Sequence, residues 1–134
     1  MWTCPRCERR FKTRNQSHMC VTKTLDELFE NKPDHLLLAF DRLLTSVIDW
    51  EMNTVGASVN TVIFTNKKAW LIVRPMSKEL DLKFYYHEPI ESDRFKKITH
   101  YNKKYAHHIR VREEEEITSE VLELLRMGFD YAMQ

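Results

Sequence analysis

Cys4, Cys7, His18 and Cys20 bring together every thiol of the chain and one imidazole at spacings that suit a single metal ion. Zinc in proteins takes about four sulfur or nitrogen donors in a tetrahedron, and two cysteines separated by two residues turn both sulfurs toward one metal from a tight knuckle. Pro5 lies between them, its φ already fixed near the value such a turn needs. On a helix His18 and Cys20 would point about 200° apart, so they share a metal only from a turn or an irregular segment. Four protein ligands leave no place for water, which makes the expected zinc structural. Three buried thiols beside a surface histidine are the competing account of the same residues.

Around these donors the chain resembles the zinc finger of nucleic-acid-binding proteins. Trp2 stands two residues before Cys4, Phe11 four after Cys7, and Cys20 takes the place of that finger's first histidine ligand. The second histidine is missing, since Thr24, Leu25 and Asp26 stand where it would fall. His18 is then the nearest fourth donor, and a short knuckle without a long recognition helix is expected over residues 1–23.

The remaining residues, 24–134, are enough for one compact domain. Thr24-x-x-Glu27 has the spacing of a capping box and opens a short helix, Leu25 to Glu30. Pro33 suits the first turn of a second helix. Leu36, Phe40, Leu43, Leu44, Val47 and Ile48 then recur at three- and four-residue intervals, giving one apolar face from Asp34 to Trp50. From Thr54 to Arg112 the period falls toward two and β-branched and aromatic residues accumulate. This predicts strands at Thr54–Ser58, Thr61–Thr65, Ala69–Arg74, Glu79–Tyr86 and Tyr105–Arg112. Asn66-Lys67 and Pro75-Met76-Ser77 are the expected turns. With two glycines in the chain, asparagine must supply most turn positions that need positive φ. A last helix from Thr118 to Met133 places Val121, Leu125 and Phe129 inward. Helices, then strands, then a helix, with no βαβ rhythm, describe an α+β fold. Its antiparallel sheet has about five strands, with two N-terminal helices and one C-terminal helix packed on it.

Charge is distributed unevenly. Residues 1–23 carry +5, residues 24–112 carry +2 and residues 113–134 carry −6, for a total of +1. In the head the cations are Arg9, Arg10, Lys12 and Arg14 with two others. A second basic stretch holds Arg94, Lys96, Lys97, Lys103, Lys104, Arg110 and Arg112 with His100, His107 and His108, and no acid falls between Arg94 and Arg112. Phe95, Tyr101 and Tyr105 are interleaved with them. Cations contact phosphates and release counterions, while aromatic rings stack with unpaired bases, so single-stranded or duplex nucleic acid is the first partner to consider. The same charges also suit the wet side of an edge strand, where they block aggregation. His107 and His108, adjacent in a strand, must face opposite ways, one buried and hydrogen-bonded, the other able to meet a phosphate.

Two other classes of function are open. Asp81-Leu82-Lys83 has the carboxylate-x-lysine spacing of one class of metal-dependent nucleases, with Asp49 or Glu51 as the nearest second carboxylate. Trp50, Trp70, Phe84, Tyr85 and Tyr86 are candidates to line a small-ligand pocket, and the acidic final helix to dock a basic protein or a second copy of the chain. No apolar run is long enough to cross a membrane and no hydrophobic leader opens the sequence, so a soluble cytoplasmic protein is expected.

Trp2 to Phe11, Asn15 to Cys20 and Pro89 to Ile98, the last reading Pro-Ile-Glu-Ser-Asp-Arg-Phe-Lys-Lys-Ile, together resemble small bacterial proteins. These carry the domain of unknown function numbered five-six-five-five. The resemblance spans nearly the whole chain and implies an α+β domain with an appended zinc finger. It implies no reaction, which leaves a non-catalytic zinc-binding protein that binds nucleic acid as the first reading of function.

Overall fold

The computed structural model describes residues 25–134 and, as backbone, two short strands near the start. These are β1 (Trp2–Thr3) and β2 (Arg10–Phe11), which pair antiparallel with Trp2 opposite Phe11 and Thr3 opposite Arg10. Three helices follow the chain order, α1 (Leu25–Phe29), α2 (Asp34–Val47) and α3 (Ser119–Met133). Between α2 and α3 run β3 (Thr54–Ala57), β4 (Val62–Thr65), β5 (Ala69–Pro75), β6 (Leu80–Tyr86), β7 (Phe95–Tyr101) and β8 (Lys104–Val111). All six form one antiparallel sheet in the order β3-β4-β5-β6-β8-β7. The fold is therefore α+β. Among the described residues, no helix is long and apolar enough to cross a membrane.

One strand more is present than the alternation predicts. β7, Phe-Lys-Lys-Ile-Thr-His-Tyr, is the sheet's edge, and none of its residues is fully buried. Its half-buried residues, Phe95 and Ile98, stand three apart, so no period of two shows in the sequence. The register also slips between Phe95 and Lys97, a bulge that twists the edge away from further pairing. β8 returns from β7 through the two-residue turn Asn102–Lys103, where Asn102 takes φ 60°. Asparagine thus supplies one of the two positive-φ positions among the described residues that are not glycine. The other is Met52, at the same φ, and neither glycine is used this way.

α2 buries Leu36, Ala39, Phe40, Leu43 and Val47 as one stripe and stops at Val47, short of the expected Trp50. The stop is built from side chains. Asn53 Nδ2 donates to the Val47 carbonyl at 2.7 Å, closing an open helix end, and the Trp70 indole N–H donates to Asn53 Oδ1 at 2.9 Å. Trp70 occupies the bulge of β5 opposite Thr65, which turns it onto the same side as its neighbour Leu71. There it meets Trp50 at 5.5 Å and Phe129 edge-on at 5.1 Å. The acidic run Glu113–Glu116 folds into a single 3₁₀ turn whose Glu116 accepts from the backbone N–H groups of Arg112 and Glu113. Thr118 then caps α3 by accepting from Val121 N–H.

The helices cover one face of the sheet. Val62, Phe64, Leu71, Val73, Leu80, Leu82, Phe84, Ile109 and Val111 point toward them and are fully buried. α3 lies over β5 and β6 so closely that a Cβ on Gly128 would fall 2.5 Å from the Phe84 ring. The opposite face carries no helix among the described residues.

Candidate nucleic-acid interface

Alternation along β6 and β8 sends every second residue to the open face, and the register lines these residues up across strands. Asp81 lies between Arg74 and Arg110. Lys83 and Lys97 flank His108. Tyr85 and Thr99 flank Ala106, and Tyr101 pairs with Lys104. Successive rows stand about 7 Å apart along the strands.

At the β7–β8 turn the open face forms an aromatic platform. The Tyr85 and Tyr101 rings are 6.1 Å apart, and Lys104 Nζ sits 4.2 Å from the centre of the first and 5.9 Å from that of the second. Lys83 Nζ lies 5.7 Å from the centre of the Tyr85 ring. Tyr101 is 61% exposed, so the ring is available to a partner. Lys83, Lys96, Lys97, Lys103 and Lys104 take part in no ion pair among the described residues.

The arginines behave differently. Arg110 donates from Nε to Asp81 at 2.7 Å and from Nη1 to Glu79 at 2.9 Å, and Arg112 lies 3.7 Å from Glu79. Arg110 holds the Glu79 carboxyl below the usual carboxylate range through that hydrogen bond, and Glu79 in turn raises the guanidinium. Arg94 donates to Glu120 of α3 at 3.3 Å, which raises it as well, and turns its charge toward the helices. Each of these arginines thus faces a carboxylate.

His107 and His108 divide between the faces. His107 is 0% exposed, stacked on Phe84 at 5.1 Å and edge-on to Phe95 at 4.9 Å. Its Nε2 accepts from the Ile90 N–H at 3.0 Å and its Nδ1–H donates to the Tyr105 carbonyl at 2.9 Å, which fixes a neutral ring. Burial pushes its pKa below the ordinary histidine value. Through Ile90 it ties the crossover between β6 and β7 to β8. His108, on the open face, donates from Nδ1 to both oxygens of Asp81 at 3.0 and 3.1 Å.

Residues 25–132 match the family model of a domain of unknown function, DUF5655. The chain belongs to this family. No curated protein and no solved structure matches it.

Within the DUF5655 domain, the sequence-derived cations separate into two sets. Lys97 and Lys104 share the open face with Lys83, Lys96 and Lys103 flank it at the bulge and the turn, and Arg94, Arg110 and Arg112 are held by acids. Cys4, Cys7, His18 and Cys20, with Arg9, Lys12 and Arg14, lie outside the described residues, and Arg10 is described as backbone in β2. Asp81 and Lys83 do share a face, but Asp81 is engaged by His108 and Arg110, while Glu51 bonds Arg126 of α3 on the helix side. Among the described residues, no group of three or more His, Cys, Asp or Glu side chains is arranged to hold a metal ion. Of the five aromatics named for a pocket, Trp70 and Tyr85 line one small cleft with Lys104, Gly128 and Tyr131. Trp50 packs beside Trp70 and Phe129, Phe84 packs on His107, and Tyr86 lies against Tyr131. Tyr85 joins Tyr101 and Lys104 only through the β6–β8 pairing, which links residues far apart in sequence. The alternation along β6 gives its face but not its neighbours.

Proposed function

We propose that this protein binds single-stranded nucleic acid on the open face of its sheet, without catalysis. The observation that carries the reading is the Tyr85–Lys104–Tyr101 platform, with lysines around it that form no ion pair among the described residues. A base stacking on an exposed ring is worth about 1–3 kcal/mol, and every base has a π face, so such a platform is tolerant of sequence. Lysines beside it meet the phosphates. A flat sheet face suits splayed bases better than a duplex, whose bases are already stacked on each other.

The basic head extends the same surface chemistry. Cys4, Cys7, His18 and Cys20 would hold a structural zinc ion that organises the segment carrying Arg9, Arg10, Lys12 and Arg14. In support, β1 and β2 pair Thr3 with Arg10, which draws together the two ends of the segment containing Cys4 and Cys7, as a Cys-x-x-Cys knuckle requires. The metal would supply rigidity to that segment and no reactive position.

Fluorescence anisotropy with a labelled single-stranded oligonucleotide tests the binding. Affinity should fall steeply with added salt and drop about tenfold in Tyr85→Ala or Tyr101→Ala. Binding indifferent to both substitutions would refute this assignment of the face. Elemental analysis tests the head: about one zinc per chain is expected, and loss of it in Cys4→Ser.

A further inference from the structure

We propose that the row Lys83–His108–Lys97 is a seat for a terminal phosphate, so that the open face takes an end of a phosphorylated strand and not only its interior. This rests on the nucleic-acid reading of the same face. The register sets Lys83 of β6 and Lys97 of β7 on either side of His108 of β8. Asp81 accepts the Nδ1–H of His108 and so fixes which ring nitrogen faces outward. His108 Nε2 has no partner among the described residues, and no side-chain nitrogen or oxygen there is both sealed from solvent and unpaired. His108 Nε2 is thus turned outward in a row flanked by two lysines.

That combination selects among phosphates. A phosphate monoester has three terminal oxygens and near neutral pH carries between one and two negative charges, so Lys83, His108 and Lys97 can each engage one oxygen. A backbone phosphodiester has two terminal oxygens and a single charge, and it leaves one of the three side chains without a partner.

The surroundings give direction to the strand. On one side, about 7 Å away, lie Ala106 and Tyr85, close to the step between a nucleotide's phosphate and its base, with Tyr101 one row further on. On the other side lie Asp81 and Glu79, which engage Arg110, with Arg112 beside Glu79. Beyond the row, therefore, the face changes from lysines alone to carboxylates paired with arginines, with Arg74 across from Asp81.

The experiment compares one single-stranded oligonucleotide bearing a 5′-phosphate, a 3′-phosphate or hydroxyls at both ends, with the full chain, at fixed salt. One of the phosphorylated ends should bind about tenfold tighter than the hydroxyl-ended strand, and this preference should vanish in His108→Ala while hydroxyl-ended binding stays. Equal affinities, or a preference that survives His108→Ala, would overturn the seat and leave the platform standing. Failure of all three strands to bind would overturn both. A readout that needs no variant is the ¹⁵N resonance of His108 Nε2 during titration with inorganic phosphate. It should move ahead of the ring nitrogens of His107, and a static Nε2 signal would also overturn the proposal.

Discussion

His107 and His108 are joined by one peptide bond and share nothing else. The first lies on the helix-covered face, stripped of water, neutral, and bonded on both nitrogens to backbone groups. The second lies on the open face, backed by a carboxylate and flanked by lysines. The same division runs along β6, where Leu80, Leu82 and Phe84 are core and Asp81, Lys83 and Tyr85 are surface chemistry. One strand thus does two jobs at a period of two, and a side chain's role is set by parity more than by its type.

Substitutions at adjacent residues should separate these roles. Phe84→Ala empties a fully buried site against His107, Phe95 and Gly128 and should cost about 3–5 kcal/mol in denaturant unfolding. Tyr85→Ala, one residue on, should cost less than about 1 kcal/mol of stability while weakening oligonucleotide binding. Equal losses of stability would break the division. Gly128→Ala is next in size. Its new methyl would collide with the Phe84 ring, so about 1–3 kcal/mol should be lost with the open face untouched, which unfolding and binding measured on one sample will show.

The histidines make a finer test. Because burial lowers the folded pKa of His107, the unfolded chain binds the proton more readily. Its contribution to stability is complete above about pH 6.5 and shrinks as the pH falls toward the folded value. Urea unfolding on either side of that pH should show the loss, and His107→Gln should flatten it. Glu79, whose pKa is also lowered, follows the same proton count and the same direction, its contribution fading only below the ordinary carboxylate value of 4.5. Smallest is the contrast between cations. Lys97→Ala should reduce the salt slope of single-strand binding by about 0.7, whereas Arg94→Ala, whose charge is tied to Glu120, should barely change it.

Much of the fold was legible because burial imposes periods. The helix stripes of α2 and α3 and the alternation of β6 each report a surface that one side of the molecule covers. β7 escaped for the complementary reason, being half-buried only at Phe95 and Ile98 with a bulge between them, and its cations looked like a stretch when they are an edge. The opposite orientations of His107 and His108 followed from strand geometry alone. What no local pattern contains is partnership. The acids that capture Arg110 and Arg112 are Glu79, just before β6, and Asp81 within it, while Glu116 of the adjacent acidic run binds backbone. Likewise Tyr85 and Tyr101 meet across a strand lying between theirs, through a crossover that skips a place in the sheet.

That skipped place makes the platform a composite of two strands with no hydrogen bonds to one another. Tyr85 rides on β6 and Tyr101 on β7, and β8 is the only hinge plate between them. If the β7–β8 hairpin lifts from β6, the two rings part company while the central sheet remains folded. A strand lying across both would therefore act as a clasp, and its grip would register as slowed amide exchange along β8, beneath the ligand instead of in contact with it.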